Sequence, residues 1–150
     1  MKRSIASPFG PLVLTAENGA LTRVTWDNAR HSDEDPLLDT AEAQLAAYFR
    51  HEREDFDLPL RVAGSELQQA VCAAMQAIPF GRTRTYGEIA RELGVPAQAV
   101  GQACGANPLP IVIPCHRVLA AGGLGGFSAR GGVETKVALL RHEGAAGLLI

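Results

Sequence analysis

The sequence lacks any apolar run approaching the about 18 residues that a membrane-spanning helix needs, so no transmembrane segment is expected. MKRSIASPFG at the N-terminus has two basic residues but no apolar stretch behind them, so no secretory signal is expected. Cysteine is scarce and odd in number: Cys72, Cys104 and Cys115 form no paired framework. Free thiols in a reducing, cytoplasmic setting are therefore expected rather than disulfides. No C-x-x-C or H-x-x-x-H spacing occurs, so a zinc site drawn from Cys104, Cys115, His116 and His142 has no motif to support it. Internal repeats and low-complexity segments are also missing. A formal net charge of −2 argues against a strongly basic nucleic-acid binder.

The 47% hydrophobic content is sufficient for a real core. Charge is unevenly spread, with seven Lys/Arg against eleven Asp/Glu in residues 1–64 and seven against five in residues 65–150. That asymmetry fits either ordinary surface variation or a C-terminal unit that tolerates phosphate with modest, salt-sensitive affinity. In the first part, PLVLTA and ALTRVTW flank ENG, and Asn18-Gly19 is a strong hairpin signal because both residues accept positive φ. The spacing then predicts a helix capped by Asp39, with Glu42 three residues on and Ala41, Leu45, Tyr48 and Phe49 on one face. Composition changes between Arg61 and Gly64, dividing residues 1–64 from 65–150.

The second part reads as helices. Ser65 with Gln68 and Thr85 with Glu88 are capping boxes, the first followed by the stripe Leu67, Val71, Met75 and Ile78. TYGEIARELG is a short helix stopped by Gly94, and Pro96 suits the first turn of the next, PAQAVGQACGA, ended by Asn107-Pro108. This pair is a helix-turn-helix candidate, and equally a plain helical hairpin. Its second helix is nearly free of side chains at Ala97, Ala99, Gly101, Ala103 and Ala106, whereas base reading needs several long polar groups. Small residues there either bring the backbone close to a groove or permit tight helix packing. A last helix, VETKVALLRHEG, is expected to turn Val133, Val137 and Leu140 inward.

IPCHRV, residues 113–118, sets a cysteine between a rigid proline and a histidine, after the apolar PIVI and before the glycine-rich AAGGLGGFSARGG. Pro114 fixes its own φ and restricts Ile113, and the glycines can bend around a flat ligand while offering N–H donors. Cys72 and Cys104 read as small buried hydrophobes. Cys115 is the candidate nucleophile, with His116 acting through a bridging water. Glu143 reads either as an anchor for the imidazole or as a solvated helix end. An unperturbed thiol is about 3% ionised at neutral pH; lowering its pKa to about 6 would raise that some thirty-fold, about 2 kcal/mol. A poised, readily ionised sulfur is the expectation.

NPLPIVIPCHRVLAAGGLGGFS, supported by IPFGRTRTYGEIARELG and TKVALLRHEG, resembles the O6-alkylguanine-DNA alkyltransferases over residues 65–144. The resemblance implies an α/β protein. A small N-terminal domain with antiparallel strands, ribonuclease H-like, would precede a mainly helical helix-turn-helix domain carrying the active-site cysteine. It implies direct, irreversible repair: an O6-alkylguanine flipped from double-stranded DNA through the minor groove, its alkyl group passing to Cys115 once, with no cofactor and no metal. O4-alkylthymine is a further implied substrate, and the protein is expected to be monomeric away from DNA. Carried over by position, Cys115 is the acceptor, His116 its water-mediated base, Glu143 the partner of His116, and Asn107 the hinge. Tyr86 aids nucleotide rotation and hydrogen-bonds the leaving guanine. Gln98, Ala99, Gly101, Arg117, Phe127 and Ser128 are implied contacts to DNA or the extruded base.

Two departures stand out. Gln98 occupies the position where the family usually has an arginine that fills the space left by the extruded base, which predicts weaker binding or slower extrusion with the chemistry intact. Cys72 sits where a tryptophan is common. The zinc site of some relatives needs N-terminal cysteines, and none precedes Cys72. The competing readings are a non-catalytic alkyltransferase-like lesion binder that recruits other repair factors, a helix-turn-helix regulator and an unrelated thiol hydrolase. The first replaces the acceptor cysteine, which is present here.

Overall fold

In the computed structural model, which describes residues 1–125 and 132–145, the chain separates into two units, Met1–Val62 and Ala63–Ile150. The first begins with β1 (Lys2–Ile5), which pairs antiparallel with β2 (Leu12–Glu17). β2 in turn pairs antiparallel with β3 (Ala20–Trp26), aligning Leu14 with Val24, and the register shifts between Thr15 and Ala16. Asn18 and Gly19 make the predicted turn at φ 48° and 78°, the left-handed pair that matches strand twist. β1 carries little apolar signal, KRSI, and pattern reading does not find it; pairing with the buried central strand β2 makes it a strand.

α1 (Pro36–Phe49) starts one turn earlier than the sequence suggests. Asp35, not Asp39, is the N-cap: its carboxylate accepts from Leu37 N at 2.8 Å and Leu38 N at 3.4 Å, and Pro36 takes the first helical position where its missing N–H costs nothing. Asp39 pairs with Arg3 at 3.0 Å instead. The helix buries Leu38, Ala41, Leu45 and Tyr48 without residual exposure, spaced three or four residues apart, and with Leu12, Leu14 and Leu21 they form the core of this unit.

The second unit contains α2 (Glu66–Gln76), the two-residue strand β4 (Arg84–Thr85), α3 (Tyr86–Leu93) and α4 (Ala97–Gly105). After them come a 3-10 turn (Cys115–Arg117), β5 (Val118–Leu119) and α5 (Val133–Glu143). Ser65 caps α2 through Gln68 N at 3.1 Å, but Gln68 does not close a box; its amide donates to Ala103 O at 2.8 Å and ties α2 to α4. Thr85 and Glu88 do form the reciprocal box, at 2.8 and 3.1 Å. Gly94 ends α3 at φ 69°, and Pro96 stands at the N-cap of α4, one position before its expected place. β4 and β5 pair in parallel, Arg84 with Val118 and Thr85 with Leu119, fastening the start of α3 to the chain just beyond Cys115.

Cap assignment in α1 is open to direct test. Urea unfolding of Asp35→Ala is expected to show a loss of about 1 kcal/mol. Asp39→Ala, which removes an exposed ion pair, is expected to cost less than about 0.5 kcal/mol.

Candidate active site

PIVI is no strand. Ile111 lies at φ 74° and is 1% exposed, a left-handed backbone that a β-branched residue adopts only when its surroundings enforce it. Enforcement comes from Asn107. Its Oδ1 accepts from Leu109 N at 3.0 Å and its Nδ2 donates to Ile113 O at 2.8 Å, while Ile113 N returns to Leu109 O at 2.7 Å. Ile113 O also accepts the Cys115 amide at 2.8 Å. One asparagine thus closes the loop and sets the turn that carries the thiol, the hinge position that the resemblance implies for it.

Behind the thiol is a buried polar cluster. His116 is fully buried, and its Nε2 lies 2.8 Å from Glu143 Oε2. Arg117 Nε donates to Glu143 Oε1 at 2.8 Å, its Nη2 to Oε2 at 2.9 Å and its Nη1 to Ile78 O at 2.6 Å, with the guanidinium 5.9 Å above the Phe80 ring. Glu143 is therefore an anchor, not a solvated helix end. Burial alone would raise its carboxyl, but hydrogen bonds and charge from His116 and Arg117 hold it well below the usual carboxylate range. As an ionised carboxylate it only accepts, which places the proton of a neutral His116 on Nε2 and leaves Nδ1 as a lone pair. Nδ1 is buried and has no hydrogen-bond partner among the described residues.

The thiol differs from expectation. Cys115 is 8% exposed, and burial pushes it up to about 11 despite the Asn107 hydrogen bond and the Lys136 charge, which both favour the thiolate. At rest the sulfur is protonated, so a base must take its proton before it attacks. Burial is also the main influence on His116; it lowers the ring, with Arg117 and Lys136 adding to it and Glu143 opposing. The ring is thus neutral at neutral pH, as a base must be.

Lys136 is a residue that pattern reading missed. It is fully buried in α5, donates to Val118 O at 2.7 Å and lies 5.7 Å over the Tyr86 ring. Burial lowers it, with the Cys115 and Cys104 sulfurs opposing. The expected α5 face is corrected with it: Val133 is 43% exposed, and Lys136, Leu139, Leu140 and Glu143 point inward. Their i, i+3, i+4, i+7 spacing is the available signal, passed over because two of the four are charged.

Tyr86 opens α3, and burial, followed by the neighbouring thiols Cys104 and Cys115, raises its phenol, which stays protonated as a donor. Gly125, at φ 73°, packs so closely that a Cβ there would stand 3.0 Å from Tyr86 Cε2. On α4, Val100, Ala103 and Cys104 are buried while Gln98 and Gln102 are exposed. Ala99 and Gly101 are half-buried, and a Cβ at Gly101 or Gly105 would meet nothing within 4 Å. Packing within this unit does not require those two glycines, so they leave the outer face of the helix low. Arg117, expected to contact DNA, is turned inward instead, with Nε, Nη1 and Nη2 all donating inside the protein. Phe127 and Ser128 lie outside the described residues. Cys72 and Cys104 are buried as expected, the latter 3.6 Å from the Met75 sulfur.

Comparison with known proteins gives a consistent picture. A family model described as 6-O-methylguanine DNA methyltransferase, DNA binding domain, matches residues 66–145, and one described as the ribonuclease-like domain of the same enzymes matches residues 1–62. A Mycobacterium bovis protein named methylated-DNA–protein-cysteine methyltransferase is 44% identical over 94% of this chain and 90% of its own length. The crystal structure of Mycobacterium tuberculosis O6-methylguanine methyltransferase superposes with a TM-score of 0.85 at 42% identity, covering 95% of this chain and 92% of that one. The Mycobacterium tuberculosis protein in complex with DNA gives 0.84 at the same identity and coverage.

Acid should expose the cluster's contribution to stability. A carboxyl held low contributes stability that is complete above its unfolded value of about 4.3 and is lost as pH falls through the folded value. Glu143→Gln is expected to cost about 3–5 kcal/mol at neutral pH, because it strands the buried Arg117. Urea midpoints followed from neutral to acid pH should show that difference shrinking as the wild-type carboxyl is protonated.

Proposed function

The chain belongs to the 6-O-methylguanine DNA methyltransferase family, and from that premise we propose that it repairs double-stranded DNA by moving an alkyl group from O6 of guanine to Cys115. One observation carries the chemistry: a buried thiol in the same short turn as His116, whose Nε2 is fixed by Glu143 and whose Nδ1 has no partner among the described residues. In this reading the Cys115 proton passes through a water to Nδ1. The sulfur forms a bond to the alkyl carbon as the carbon–O6 bond breaks, and the electron pair leaves on the guanine. That guanine takes up a proton, with the Tyr86 hydroxyl as a donor beside it, so the proton lost by the thiol is balanced in the product. A thioether is a poor leaving group, so each molecule reacts once. O4-alkylthymine is a second substrate of the same chemistry.

Nucleotide flipping gives the exposed face of α4 its purpose. A helix with Gly101 and Gly105 open to the outside can lie close to a groove, and with few long side chains it does so without reading sequence. Gln98 is exposed in its first turn, the position from which a side chain can enter the stack. The lesion-binding alternative without catalysis is not favoured, because Cys115 is present and the relatives are named as methyltransferases.

Mass spectrometry after incubation with an oligonucleotide containing O6-methylguanine tests the assignment. One methyl on the Cys115 peptide is expected, with none in Cys115→Ala; an unchanged mass for the wild type would overturn it. Gln98→Arg is expected to bind DNA more tightly and to speed repair under binding-limited conditions, leaving the rate from the saturated complex within about twofold.

A further inference from the structure

Arg117 has no expected part in the chemistry, yet it bonds both oxygens of Glu143, Nε to Oε1 at 2.8 Å and Nη2 to Oε2 at 2.9 Å. Glu143 Oε2 is shared between His116 Nε2 at 2.8 Å and Arg117 Nη2 at 2.9 Å. The guanidinium is itself pinned by Ile78 O at 2.6 Å and covered by Phe80. The fork therefore fixes where the carboxylate sits and supplies a permanent positive charge opposite it, since guanidinium does not deprotonate in proteins. We propose that Arg117 is a positioning residue for the alkyl transfer: it holds and neutralises Glu143, so that His116 is kept as a neutral ring with Nδ1 free to accept a proton. The inference rests on the reading of Cys115 as the acceptor.

The electrostatic argument concerns what Glu143 would otherwise do. A buried carboxylate with His116 as its main counter-group draws a proton onto the ring and makes a stable imidazolium–carboxylate pair. Imidazolium donates from both nitrogens, so Nδ1 could no longer receive the thiol proton. Arg117 removes that pull by meeting the negative charge first. Around the ring stand Glu143 and Lys136 from α5 and Cys115 and Arg117 from its own turn, while α2 brings Cys72, α3 Tyr86 and α4 Cys104 toward the thiol. Burial, Arg117 and Lys136 all keep protons off the ring and Glu143 favours them, so deleting Arg117 shifts the balance toward imidazolium.

The experiment measures single-turnover methyl transfer from an O6-methylguanine oligonucleotide against pH for wild type, Arg117→Met and Arg117→Lys, together with the nitrogen-15 spectrum of the His116 ring. In Arg117→Met the acid limb of the rate profile and the His116 titration are expected to move together to higher pH by about one unit, a tenfold slower reaction on that limb. Arg117→Lys, which keeps the charge but not the fork, should return the limb to its wild-type position at a reduced plateau rate. A slower Arg117→Met with limb and titration unmoved would reduce Arg117 to a structural role and overturn the proposal. If Arg117→Met does not fold, the wild-type spectrum decides: a neutral ring protonated at Nε2 at neutral pH supports it, and an imidazolium or an Nδ1-protonated ring overturns it. Wild type that accepts no methyl at all would instead fail the alkyl-transfer reading itself.

Discussion

Glu143 is a carboxylate whose side chain has no exposed surface, at the last residue of α5, where the helix dipole is itself negative. Both circumstances oppose the charge. It persists because the 3-10 turn Cys115–Arg117 supplies His116 and Arg117, whose bonds of 2.8 to 2.9 Å satisfy both oxygens. Arg117 then extends the link to Ile78 O, just past the end of α2. A single carboxylate therefore fastens α5, the turn bearing Cys115 and the exit of α2 to one another. Without it, two buried polar side chains would lose their principal acceptor, and the turn would lose the contact that orients its histidine.

The second constraint is in the backbone. Ile111 in a left-handed conformation and prolines at positions 110 and 114 leave the segment before Cys115 few alternatives. Asn107 bonds both sides of that loop, so its side chain does the work that a sheet ladder does for a regular strand. β5, paired in parallel with β4, holds the other side of the turn. The thiol sits between two fastenings, and the second connects directly to the residue before Tyr86.

Local signals in the sequence were legible where the chemistry was local. The Asn18-Gly19 turn, the Thr85–Glu88 box and the Gly94 stop all depend on neighbours within four residues, and each is where pattern places it. Asp39 reads as the cap because Glu42 follows three residues on, yet Pro36 directly after Asp35 is the local signal that marks the true start, and Asp39 pairs with Arg3 instead. The α5 face is hidden from pattern for a related reason: Lys136 and Glu143 look like solvent-facing residues, and only Val118 O, His116 and Arg117, distant in sequence, receive them. Family likeness supplied Cys115, His116, Glu143 and Asn107, and the geometry brings those four together. The contact to DNA or the extruded base implied for Arg117 is not what its position offers, since the guanidinium is buried and bonded to Glu143 and Ile78 O.

Burial of the sulfur then has a chemical consequence. A thiol pushed up to about 11 stays almost wholly protonated at neutral pH, far more so than an exposed cysteine. The thiolate is the form that peroxides and stray electrophiles attack. For a protein that spends its nucleophile once, a sulfur ionised at all times would be consumed by side reactions, whereas a protonated sulfur beside a neutral base is released only when an electrophile is seated in line with it. Reactivity is then set by positioning, which a pocket can make selective, more than by resting nucleophilicity, which it cannot. The cost of burying Glu143, Arg117 and His116 together is what keeps that base neutral and correctly turned, so the same cluster that stabilises the fold also restrains the sulfur it serves.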